Sequence, residues 1–221
     1  MKITLFKQIF ILFSILLIIG CSKSQTKIKY LALGDSYTIG ESVEENERWP
    51  NQLVSRLEKK FNYSVKLQII AKTGYTTGEL LEKINKTNIS KNNDYVSLLI
   101  GVNNQFRDLD ISIFEKELNI LLDKSIEFAN GEKENVFILS IPDWGVTPYG
   151  IKKNRDSVSK EIDNHNLLIS ELTKSKGLAY YNITKISRQI NQIDGLISID
   201  SLHPSGKMYS MWVDEIVGFF N

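Results

Sequence analysis

Ile28-Lys29-Tyr30-Leu31-Ala32-Leu33-Gly34-Asp35-Ser36-Tyr37 decides how this 221-residue chain is read. The run from Ile28 to Leu33 is mostly apolar and stops at a glycine, as a buried strand does. A serine then stands just past the strand's carboxyl end. In an open parallel sheet that is the side on which ligands bind.

The segments that follow alternate strand and helix. Trp49 to Phe61 carries Leu53, Val54 and Leu57 at helical spacing. Val65 to Ala71 reads as strand two, Gly78 to Ile84 as a short helix and Tyr95 to Ile100 as strand three. Strand three is continuously apolar, as a strand covered on both faces is. Phe114, Leu118, Leu121, Leu122, Ile126 and Phe128 mark a long helix, and Asn135 to Ile141 is strand four, stopped by Pro142. Ser157 to Lys176 is helical, with Ile162, Leu167, Leu168 and Leu172 as its apolar face. Leu178 to Ile183 is strand five, and Pro204 to Phe220 is a final helix with the proline in its first turn. The order implies an α/β fold: a five-stranded, mostly parallel sheet between two helical layers.

The strand ends collect chemistry. Lys72-Thr73-Gly74-Tyr75 follows strand two, Gly101-Val102-Asn103-Asn104 follows strand three, and Asp200-Ser201-Leu202-His203 precedes the last helix. A serine hydroxyl needs a base to become a nucleophile, and an imidazole base needs a carboxylate to fix its tautomer. The chain has two histidines, His165 and His203, and only His203 has a carboxylate three residues before it in such a loop. His165 lies in a helical stretch and reads as a surface or partly buried helix residue. Taken singly, each piece is also an ordinary turn or helix cap. Their common placement on one rim turns them into a candidate site.

The N-terminus reads as an address. Lys2 and Lys7 precede an apolar run from Ile9 to Ile19, interrupted by Ser14. That run is short for a membrane span of about 20 residues and suits a secretory signal. The alternative is an uncleaved anchor helix. Ile18-Ile19-Gly20-Cys21 resembles the lipobox of bacterial lipoproteins, which implies a lipid on Cys21, the chain's only cysteine. Residues 1–20 are thus expected to be a signal peptide, 21–27 a lipidated cysteine and tether, and 28–221 one domain. The expected location is a bacterial cell envelope, anchored to a membrane. The net charge is +1, and falls to about −1 without Lys2 and Lys7. Such a balance offers no basic surplus for nucleic acid. A monomer is expected.

The four blocks together resemble the SGNH, or GDSL-type, serine hydrolase family. Gly34-Asp35-Ser36-Tyr37-Thr38-Ile39-Gly40 matches its first block, with tyrosine where leucine is usual. Gly74 matches the second, Gly101-Val102-Asn103-Asn104 the third, with Asn104 where aspartate is commoner, and Asp200-Ser201-Leu202-His203-Pro204 the last. The resemblance implies a flavodoxin-like α/β/α sandwich and an esterase forming an acyl-enzyme. It implies Ser36 as nucleophile, His203 as base and Asp200 as its partner. The oxyanion donors would be the N–H groups of Ser36 and Gly74 and the amide of Asn103. No metal or other cofactor is implied. Lysophospholipids, short-chain acyl esters and acetylated sugars are the expected substrates. A thioesterase, or an idle lipoprotein that binds carbohydrate or lipid, are the alternatives. The Pro142–Tyr149 segment is either a wall of the cleft or a rigid loop packed on the scaffold.

Overall fold

The computed structural model describes residues 24–220. Five parallel strands form one sheet: β1 (Thr26–Gly34), β2 (Tyr63–Ala71), β3 (Tyr95–Leu99), β4 (Val136–Leu139) and β5 (Ala179–Tyr181). Their order across the sheet is β2-β1-β3-β4-β5. This is the flavodoxin-like order, and its switch point lies between β1 and β3.

Helices connect the strands. They are α1 (Ser36–Ile39), α2 (Trp49–Phe61), α3 (Thr77–Asn85), α4 (Val102–Phe106), α5 (Ile111–Phe128), α6 (Pro148–Lys153), α7 (Val158–Ser175), α8 (Thr184–Ser187) and α9 (Gly206–Ile216). Right-handed crossovers put α2 on one face, where α9 packs beside it. On the other face α3 packs on α5, and α5 on α7. The chain closes on the first face, where Phe219 and Phe220 pack against Phe137 with ring centroids 4.9 and 5.8 Å away. Leu31, Leu33, Leu98, Val136 and Phe137 are fully enclosed between the layers.

Several boundaries differ from the sequence reading. Strand β1 starts at Thr26, paired with Tyr63, so Thr26 and Lys27 belong to the sheet and not to a tether. Pro204 is not in the first turn of α9. Ser205 caps that helix through its hydroxyl, which accepts from the N–H of Met208, and Pro204 bridges to Ile197. A serine hydroxyl satisfies a first-turn N–H, which proline at that place would not. On α7 Leu167 is exposed, and the buried face runs through Val158, Ile162, His165, Asn166, Ile169 and Thr173. The signal and lipidation readings concern residues 1–21, which lie outside the described residues. Among the described residues no helix is long and apolar enough to cross a membrane.

Candidate active site

Ser36 is the first residue of α1, and Asp35 is its N-cap. The Asp35 side chain accepts from the N–H of Tyr37 at 3.0 Å, which fixes the turn that follows β1. Its carboxyl is fully buried and its other oxygen has no partner. Burial pushes its pKa up from 3.8 to about 7, and the Tyr37 N–H offsets part of that rise. Gly40 ends the helix in the left-handed conformation, at φ 72°. The N–H of Ser36 lies in the first turn, where a helix offers no acceptor of its own.

His203 reaches this turn from the loop before α9. Its Nε2 lies 3.0 Å from Ser36 Oγ, and its Nδ1 lies 2.6 Å from Asp200 Oδ2. A carboxylate only accepts, so Nδ1 carries the proton, and Nε2 is free to accept from Ser36. Asp200 Oδ1 accepts from Ser198 Oγ and from the N–H groups of Leu202 and His203, at 2.8, 2.9 and 2.9 Å. Burial raises the Asp200 pKa, but the hydrogen bonds from His203, Ser42 and Leu202 outweigh it. They hold the carboxyl well below the usual range. The Tyr37 ring packs 5.1 Å from the imidazole, so the tyrosine that replaces leucine forms a wall for His203.

Gly74 and Asn103 face the same mouth. With Ser36, Tyr37, Val102, Phe106, Trp144, Leu202 and His203 they line a cavity of about 140 Å³. Gly74 has φ 85°, a conformation that glycine adopts without penalty. Its carbonyl is held by Arg107 at 2.5 Å. Asn103 Nδ2 donates to the Tyr75 carbonyl at 3.0 Å, which leaves its second N–H to point elsewhere. Asn104 is turned away and fully buried. Its Oδ1 accepts from the N–H of Thr77 and its Nδ2 donates to Thr77 Oγ1, at 3.0 and 2.7 Å. It therefore ties the turn after β3 to the start of α3.

Both readings of the Pro142–Tyr149 segment hold in part. Trp144 forms the cavity wall, with its Nε1 donating to Gln105 Oε1 at 2.6 Å. Gln105 in turn donates to Glu161, which also binds Arg155. Tyr149 packs on Trp144 and its N–H donates to the Ser201 carbonyl, so it braces the loop instead of lining the mouth. His165 is away from the site and more buried than the sequence suggested. Its Nδ1–H donates to the Glu161 carbonyl at 2.9 Å, and its ring packs 4.9 Å from Phe114. Burial holds its pKa below 6.5, against the pull of that carbonyl.

Sequence reasoning missed Ser42 and Gln105. Ser42 donates to Asp200 Oδ2 at 2.7 Å, and Gln105 orients Trp144. Neither has a sequence signal: one is a serine in a polar loop, the other a glutamine in a five-residue helix. Among the described residues no three His, Cys, Asp or Glu side chains gather as a metal-ligand set.

The five-stranded parallel sheet between helical layers is the fold of the GDSL-type hydrolases, and a serine, a histidine and an aspartate meet at its carboxyl edge. The chain belongs to the GDSL-like lipase/acylhydrolase family, whose model matches residues 32–211, and it is an ester-hydrolysing enzyme. It is 23% identical over 206 residues to the spore germination lipase LipC of Bacillus licheniformis, covering 86% of this chain and 94% of that one. Solved structures of the same fold include the lipase Lip_vut3 from a goat rumen metagenome. It superposes with a TM-score of 0.71 at 21% identity, over 87% of this chain and 97% of that one. The acetylxylan esterase Axe2 of Geobacillus stearothermophilus superposes at 0.68 with 14% identity, over 89% and 95%.

Proposed function

We propose that this enzyme hydrolyses carboxylic oxygen esters of short acyl groups through an acyl-enzyme on Ser36. The observation that carries this reading is the hydrogen-bonded chain Ser36 Oγ–His203 Nε2, His203 Nδ1–Asp200 Oδ2, opening into the cavity. His203 takes the Ser36 proton as Oγ attacks the ester carbonyl. Asp200 holds the imidazole by its Nδ1–H and steadies the imidazolium. The N–H groups of Ser36 and Gly74 and the free N–H of Asn103 receive the oxyanion. Each such donor is worth about 2.7–4 kcal/mol in the transition state. The tetrahedral intermediate collapses, and His203 returns the proton to the departing alcohol. A water then attacks the acyl-enzyme with His203 again as base, and the carboxylic acid leaves.

The cavity size argues for the acyl length. At about 140 Å³ it is close to the roughly 150 Å³ that holds one benzene molecule. Trp144, buried and hydrogen-bonded, closes it at the back. A short-chain ester or an acetylated sugar fits this space better than a long acyl chain. The reading extends to the N-terminus: Cys21 carries a lipid that anchors a monomeric domain in a bacterial cell envelope.

A fluorophosphonate probe and a p-nitrophenyl ester series test the reading together. The probe labels Ser36, and Ser36→Ala abolishes labelling and lowers kcat by about 10⁴-fold or more. Turnover falls as the acyl chain grows from acetyl to octanoyl. Labelling that survives Ser36→Ala removes the nucleophile assignment. Faster turnover of octanoyl than of acetyl esters removes the short-acyl reading.

A further inference from the structure

We propose that Ser42 is a positioning residue of this site: its hydroxyl holds Asp200, and through Asp200 the imidazole, in register with Ser36. Ser42 Oγ donates to Asp200 Oδ2 at 2.7 Å, the same oxygen that takes the Nδ1–H of His203. The other donors to Asp200 are Ser198, Leu202 and His203 itself, all within three residues. They shape the loop but move with it. Ser42 is 158 positions away in sequence and belongs to the nucleophile segment.

That segment is itself fixed to Ser36. The N–H groups of Gly40 and Glu41 both donate to the Ser36 carbonyl at 3.0 Å, and the Glu41 carboxylate binds Thr73 Oγ1. The contacts close a circuit: Ser36 to Glu41, Ser42 to Asp200, Asp200 to His203, and His203 back to Ser36. Without the Ser42 hydroxyl, the two segments are joined here through the Ser36–His203 bond and the packing of Tyr37 on His203.

The backbone supports the same conclusion. Six described non-glycine residues have positive φ: Ser42, Asn62, Asp108, Asn130, Asn154 and Ser201. Four are asparagine or aspartate, which tolerate this region. The two serines are the exceptions, and both lie next to Asp200: Ser42 donates to it and Ser201 follows it in the chain. A strained position bonded to a residue of the site points to a function for the side chain there. Ser42 is exposed at φ 63° and lines no part of the cavity, so its hydroxyl acts on Asp200 and not on the substrate.

The proposal rests on the assignment of Asp200, and the experiment separates the two. Ser42→Gly, Ser42→Ala, Asp200→Ala and the double variant Ser42→Gly/Asp200→Ala are compared for kcat, KM and Tm with a p-nitrophenyl ester. Both Ser42 variants lower kcat about tenfold with KM little changed, the scale of one hydrogen bond to a charged group. Ser42→Gly melts no lower than Ser42→Ala, because glycine relaxes the left-handed backbone. Activity and stability therefore part company. In the Asp200→Ala background Ser42→Gly has no further effect on kcat. An unchanged kcat in Ser42→Gly overturns the proposal, as does a full tenfold loss on top of Asp200→Ala. If Asp200→Ala alone leaves kcat unchanged, the assignment of Asp200 fails and the role of Ser42 falls with it.

Discussion

Asp35 sits beside the nucleophile and carries a carboxyl that the fold prefers protonated. Its pKa is raised to about 7 by burial, against 3.8 for an ordinary aspartate. Below about pH 4 it is protonated in the folded and unfolded chains alike, and contributes no pH dependence. As pH rises from 4 to 7 the unfolded chain releases this proton first, so the folded state loses stability. Above 7 the loss is constant. Asp35→Asn keeps an oxygen for the Tyr37 N–H and removes the titration. Its stability relative to the parent should rise by on the order of 4 kcal/mol between pH 4 and pH 8. Denaturant unfolding of both proteins at the two pH values measures this, and any constant cost of the substitution cancels. A difference that does not grow with pH would show that Asp35 ionises freely. Residue identity made the meeting of Ser36, Asp200 and His203 legible in the sequence, because few side chains can form such a hydrogen-bonded chain. The environment of Asp35 was not legible. The sequence shows a carboxylate in a turn, and only the packing of α1 under the sheet edge shows that water is excluded from it.

At the scale of elements, the turn after β3 does two jobs with adjacent asparagines. Asn103 faces the mouth, and Asn104 clamps α3 through Thr77. Thr77 sends its own hydroxyl hydrogen to Glu117 at 2.5 Å, so its oxygen must accept from position 104. An aspartate at 104 has no hydrogen to give and adds a second carboxylate near Glu117. Asn104→Asp should therefore destabilise the protein by about 1–3 kcal/mol. Thermal unfolding tests it, and an unchanged midpoint would mean that Thr77 can redirect its hydrogen. The long elements were readable from periodicity alone: α2 begins and ends at Trp49 and Phe61, as the spacing indicated. The four- and five-residue helices α1, α4 and α8 were not, since so few residues show no period. On α7, Ile162, Leu168 and Leu172 do pack inward, but Leu167 is exposed and the polar members of the buried face were missed for a different reason. His165 and Asn166 are buried polar residues whose hydrogen bonds go to Glu161, Ile141 and Thr184, so hydrophobicity does not mark that face.

For the whole molecule, the proposed lipid on Cys21 has a direct test. Cys21→Ser should move the expressed protein from the detergent phase to the aqueous phase, or leave it unprocessed. An unmodified Cys21 in the intact mass of membrane-purified protein would remove the anchor. The domain itself was legible as an alternation of strands and helices. The order of the strands, which puts β3 beside β1 although β2 lies between them in sequence, was legible only through the family resemblance.

Strand β1 runs from Thr26 to Gly34 and delivers Ser36 at its far end. Nine residues of parallel strand span roughly 30 Å. Cys21 precedes Thr26 by five residues, a reach of at most about 18 Å. A lipid on Cys21 would thus moor the domain by one pole while the mouth opens at the other. The leash would be shorter than the strand, so a domain standing upright on it would hold its mouth away from the bilayer. So moored, the enzyme would meet esters that arrive from solution or from a facing structure more readily than lipids of its own leaflet.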